Sequence, residues 1–304
     1  MSPAATILLA IVVLVACPLA IRTSPGWTGA GRRPMRLARQ LSLVGAPSLA
    51  VALLAPPGPF AAILALPWML AALLATLAAT GRLIADPDRL RPGPRHAEDA
   101  ALAFWLVGAV FAVADRAGVT PFGFDPTLIG LTVIHFHVAG LVLPTAGAAA
   151  WRARPARWLE PGLAALIMGI PMTAVGFFGL TVVNWIGASL VVGGAVAVAA
   201  GHLRLALRPG VAGRGARILL GVAGGSLLLA MPMAAIYATA SLVGVAGPSI
   251  AWMIATHGTL NALGFALPAM VGWWGIRSRQ AAAPIDRRPA SSDATLRAGR
   301  AAWR

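Results

Sequence analysis

Residues 127–150 read TLIGLTVIHFHVAGLVLPTAGAAA, a run of 24 positions without Asp, Glu, Lys or Arg. A helix rises about 1.5 Å per residue and the hydrocarbon core of a bilayer is roughly 30 Å thick, so a run of this length crosses a membrane. Comparable runs flank it at 4–21, 41–56, 59–80, 100–118, 161–180, 182–203, 216–243 and 248–275. The whole chain agrees: 59% of its 304 residues are hydrophobic and 11% charged, against about 45–50% and 25% in soluble domains. Mean hydropathy is +0.81. The alternating ten-residue strands of a membrane barrel are absent, which leaves helices to satisfy the backbone in lipid. The expected fold is an all-α, polytopic transmembrane bundle of about nine spans over residues 1–276, followed by a disordered basic cytoplasmic tail, 277–304. A soluble enzyme is excluded.

The breaks between spans carry their own signals. Pro56-Pro57-Gly58-Pro59 is too stiff for helix and predicts a tight hairpin between the second and third spans. Asp125-Pro126 and Glu160-Pro161 suit helix starts. All 24 cations are Arg, and the segments 22–40, 81–99, 151–160 and 204–217 with the tail after Ile276 hold 23 of them, leaving Arg116 apart. Those segments follow spans one, three, five, seven and nine, so they share one side of the membrane. Positive residues in short loops stay cytoplasmic, which predicts the N-terminus outside and the C-terminus inside. The net charge of +15 is split among short loops, reading as topology signals and anionic-lipid contacts rather than nucleic-acid binding. The single Cys17 rules out a disulfide framework; no positive n-region precedes Leu14-Val15-Ala16-Cys17, so that lipobox-like string reads as part of the first span. Trp27, Trp151, Trp158, Trp185, Trp273 and Trp274 read as an interfacial aromatic belt, and His96 and His202 as interfacial.

Polar groups inside the bilayer are costly and mark functional candidates. Span five carries Thr132, His135 and His137; span nine carries Thr256, His257 and Asn261. Both spans run in the same direction, and counting from their starts puts the three imidazoles at one depth, about 13 Å below the outer interface. Residues two apart on a helix diverge by about 200°, so one of His135 and His137 faces a pocket and the other a neighbouring helix. Imidazole both donates and accepts protons, and Asn orients a carbonyl or hydroxyl. The candidate catalytic residues are therefore His135, His137, His257 and Asp115, with Asn261, Thr132, Thr256, Asn184, Tyr237 and Arg116 as substrate-binding candidates. Asp115-Arg116 also reads as a rim ion pair. No metal and no cofactor are assigned.

The strings His135-Phe136-His137-Val138-Ala139-Gly140 and His257-Gly258-Thr259-Leu260-Asn261-Ala262-Leu263-Gly264-Phe265 resemble hallmark segments of the YndJ-like family of bacterial membrane proteins. The resemblance implies a multi-pass protein of the bacterial cytoplasmic membrane and points to His135, His137, His257 and Asn261, without supplying a substrate. The expected partners are the lipid bilayer and a lipophilic small-molecule substrate. The expected function is a membrane-embedded enzyme that moves protons on that substrate, of isomerase, hydratase or cyclase type. A small-solute transporter is the alternative, and a haem- or metal-binding protein a further one, since two facing helices offer imidazoles.

Overall fold

The structure of the protein, a computed structural model, describes residues 2–24, 26–85, 93–208, 210 and 212–282. Among the described residues there is no strand. Nine helices among the described residues are long and apolar enough to cross a membrane: α1 Pro3–Thr23, α2 Gly29–Leu54, α3 Pro59–Ala85, α4 Pro94–Ala117, α5 Pro126–Ala153, α6 Leu159–Gly176, α7 Thr181–Leu207, α8 Arg214–Val243 and α9 Ile250–Gln280. By length and apolarity this is a multi-pass membrane protein. The last helical segment runs on to Ala282, past the expected boundary at 276, and the tail from 283 lies outside the described residues.

Local chemistry sets the helix ends. The Ser2 Oγ accepts from the Ala5 amide at 3.3 Å ahead of Pro3, and the Ser249 Oγ accepts from Trp252 at 3.2 Å. At α5 the Asp125 carboxylate accepts the Thr127 amide at 2.7 Å with Pro126 next, and this bond holds its carboxyl below the ordinary range. Helices α4 and α8 end on Gly118 (φ 72°) and Gly244 (φ 71°), left-handed positions that a Cβ would strain. The predicted hairpin lies between α2 and α3, where the Gly58 amide donates to the Arg116 carbonyl at 2.7 Å.

Two boundaries differ from the hydropathy reading, for one physical reason. Helix α2 begins at Gly29, so Arg32, Arg33, Arg36 and Arg39 are helical and not loop residues. Helix α4 begins at Pro94, which brings Glu98 and Asp99 into the helix, 2% and 8% exposed. Apolar windows stop at charged residues, whereas the helical backbone continues past them, with Glu98 and Asp99 paired to arginines and Arg32, Arg33 and Arg36 exposed.

Among the described residues, three of the spans carry π-helical segments. Residues Val12–Ala16 in α1, Phe136–Val142 in α5, and Ile254–Gly258 with Leu260–Ala266 in α9 are π-helical. The segments in α1 and α5, and the second in α9, end alike. The next residue, Cys17, Leu143 or Leu267, bonds the carbonyl five residues back, at Val12, Val138 or Ala262. A proline follows: Pro18, Pro144 or Pro268. Proline has no amide and its ring crowds the carbonyl four residues back, so widening the preceding turn by one residue relieves the mismatch. These three segments touch one another mid-bundle.

Helix α5 is the axis of the bundle. Around it α1, α2, α3, α4, α6, α7, α8 and α9 each pack on the next, and α9 closes back onto α1. The second half of α5 is buried from Leu141 to Ala150. Small residues permit the close approaches: at Gly187 a Cβ would lie 2.4 Å from the Thr173 amide of α6, and at Gly140 3.0 Å from Phe104 of α4.

Candidate functional site

His137 is buried, and both its ring nitrogens are engaged. Its Nδ1 lies 2.7 Å from the Val133 carbonyl one turn back, and its Nε2 2.8 Å from the Trp68 indole Nε1 of α3. Since the indole can only donate, Nε2 is the acceptor and Nδ1 carries the proton. The Trp68 ring lies nearly parallel to the imidazole, 18° between planes and 6.0 Å between centroids, and meets Trp105 of α4 edge-on at 4.9 Å. Gly108 leaves the room this needs, because a Cβ there would sit 3.0 Å from the His137 Nδ1. His137 thus fastens α5 to α3 and α4.

His135 points the other way, as the two-residue spacing requires. Its Nδ1 is 2.7 Å from the Leu131 carbonyl, and the residue is exposed. His257 is half-buried on α9, its Nδ1 3.0 Å from the Ala230 carbonyl of α8, and it lies within electrostatic range of His135. In both rings the carbonyl fixes the proton on Nδ1 and leaves Nε2 available as an acceptor. The two helices meet where the π-helical segments Phe136–Val142 and Leu260–Ala266 touch. Towards the end opposite the arginines, α5 packs on α4, whereas α9 packs on α8 and α1. The histidines sit at this divergence.

The remaining candidates divide into those near the pair and those elsewhere. Asn261 donates from Nδ2 to the His257 carbonyl at 2.8 Å, holding its amide one turn from that imidazole. The Thr132 and Thr256 hydroxyls donate to Leu128 and Trp252 on their own helices, keeping oxygen lone pairs as acceptors. Tyr237 is half-buried on α8. Asn184 donates to the Thr173 carbonyl at 2.9 Å and staples α6 to α7. Asp115 and Arg116 pair with each other, and Arg116 also donates to the carbonyls of Ala52, Leu53 and Ala55 at 3.2–3.4 Å, capping α2. That pair forms a helix clamp at the rim. Among the described residues no group of three His, Cys, Asp or Glu side chains converges as a metal site.

Three polar groupings escaped the hydropathy reading. His202, expected at the interface, is fully buried and accepts the Trp273 indole at 3.0 Å, so neither belongs to an interfacial layer. Trp27 is buried as well, while Trp158 and Trp274 are exposed as a belt requires. At the arginine-rich end Arg82 of α3 grips Asp99, with Nε 3.0 Å from Oδ1, and Arg152 of α5 lies 2.6 Å from Glu98, joining three spans through buried charge.

No curated protein and no solved structure matches the chain. A family model described as YndJ-like protein matches residues 6–265. That match covers most of the bundle, His135, His137 and His257 included, and the chain belongs to the YndJ-like family.

Proposed function

We propose that the protein is a membrane-embedded acid–base catalyst in which His135 and His257 move protons on a lipophilic small molecule, in an isomerase, hydratase or cyclase type of reaction. One observation carries this reading. Two imidazoles from sequence-distant helices, His135 on α5 and His257 on α9, each fix Nδ1 on a carbonyl and leave Nε2 available, on helices that touch through their π-helical segments. One imidazole takes a proton from the substrate and becomes imidazolium, while the other takes up a proton from water and returns it at a second position; the first then releases its proton to water, so in an isomerisation substrate and product differ only in the position of a hydrogen. The Asn261 amide, one turn away, orients a substrate oxygen. His137 acts as a positioning residue, since neither of its nitrogens is available. The arginine segregation supports a bacterial cytoplasmic membrane, with the N-terminus outside.

The reaction can be tested before its substrate is named. Protein reconstituted with total lipid extract from its host in deuterated water should load deuterium onto carbon of one lipid class, and His257→Ala and His135→Ala should each abolish this while remaining folded by thermal melting. Incorporation no greater than in protein-free vesicles would remove the enzyme reading.

A second reading, a proton-coupled transporter, gains weight from Glu98 and Asp99, buried carboxylates in α4 at the end away from the histidines. It predicts proton uptake by proteoliposomes on addition of solute, abolished in Glu98→Gln, with no deuterium on lipid carbon.

A further inference from the structure

The start of α2 breaks a local rule. Arg32, Arg33 and Arg36 crowd its first turns, where the helix dipole favours anions, and the turn holds no acidic residue and no side-chain cap. Beside it lies a cavity of about 300 Å³ into which Arg22 of α1 and Arg32, Arg36 and Arg39 of α2 all project, with no carboxylate on its wall. Arg22 and Arg39 are braced across the helix pair. Arg22 donates to the Pro18 and Arg39 carbonyls at 3.1 Å, and Arg39 to Ile21 at 3.2 Å and Ser24 at 2.9 Å. Each guanidinium has five N–H groups, so these bonds fix its plane and leave donors over. Among the described residues Arg32 and Arg36 have no carboxylate partner, and both are exposed. The inner wall is Trp27, 7% exposed, whose indole Nε1 has no acceptor; its ring is held by the Arg82 guanidinium at 3.8 Å. Gly31 admits that ring, since a Cβ there would come within 3.1 Å of it.

We propose that this cavity is a binding site for a phosphate group, which the guanidiniums grip in paired N–H···O bonds. Four cations around one small space repel each other, and a doubly shared phosphate anion relieves that repulsion while matching the field of the helix start. The same wall continues to Met35 and the lipid-exposed Leu43, about 16 Å along the helix from Arg32. A phospholipid headgroup with its first acyl carbons fits this polar-to-apolar run, and a free phosphate ester fits its polar end.

Native mass spectrometry of the full chain, released from phosphatidylcholine nanodiscs containing a small fraction of phosphatidylglycerol, tests the site. The wild type should retain one phosphatidylglycerol at activation energies that strip phosphatidylcholine. Arg32→Glu/Arg36→Glu should weaken retention at least tenfold, with Arg32→Gln/Arg36→Gln intermediate. Arg33→Glu/Arg208→Glu, matched in charge but off the cavity wall, should leave it unchanged. Millimolar inorganic phosphate serves as the second probe. If it binds the wild type and not the Arg32/Arg36 variants, the ligand is a soluble phosphate; if phosphatidylglycerol alone distinguishes them, it is a headgroup. Equal retention of both probes by the wild type and the Arg32→Gln/Arg36→Gln variant, with thermal melting showing both folded, would overturn the assignment.

Discussion

His135 and His137 are nearly adjacent in sequence and opposite in consequence, because about 200° of helical rotation leaves one exposed and sends the other into the packed interior. Truncation should separate them. His137→Ala strands the buried Trp68 indole donor and should lower stability by about 1–3 kcal/mol from that group alone, with a fall in Tm and normal turnover per folded molecule. His137→Gln, which keeps an acceptor, should recover much of the loss. His257→Ala should leave Tm nearly unchanged and remove turnover, because it gives up one ring-to-carbonyl bond at a half-buried position and the only imidazole on α9. Lost stability in His257→Ala with turnover intact would reverse the two roles.

The helix ends were legible because they depend on neighbours in sequence: Asp125 before Pro126 caps α5 as its residue types require. The π-helical segments were not. Pro47, Pro67, Pro171 and Pro232 also lie inside spans, yet their helices remain α-helical around them. Proline creates the need to widen a turn, and packing at the axis decides whether widening is how it is met. Pro144→Ala restores an amide four residues beyond the Gly140 carbonyl and should let Phe136–Val142 return to α geometry. That turns the upper half of α5 against the lower half and draws His135 away from His257. We expect an unchanged or higher Tm and at least a tenfold loss of turnover; full turnover at a higher Tm would show that the site does not use the widened segment. Glu98 and Asp99 escaped notice because span four was counted from its first apolar residue, although Gly93-Pro94 is a helix-start signal a turn earlier.

At the scale of the whole molecule, the number of spans and the arginine asymmetry are sequence properties, because each span must satisfy the bilayer by itself. Reporter fusions at Asp125 and at Arg288 should report opposite sides of the membrane, and a shared side would refute the N-out, C-in arrangement. The ring of eight helices about α5 could not be read, since hydropathy says how long a span is and not which span it touches. That closed ring also gives the protein a clock. The ribosome delivers the axial helix fifth and the closing helix ninth, so a nascent chain gains about 120 residues after His135 before the helix bearing His257 exists to meet it. A chain stopped after Gly244 should enter the membrane and convert nothing, and the segment 245–304 supplied as a separate polypeptide should restore conversion by completing the circle. In the proposed reading, conversion starts only when the helix bearing His257 has joined the ring, which keeps a half-assembled site from acting on its substrate while the bundle is being made.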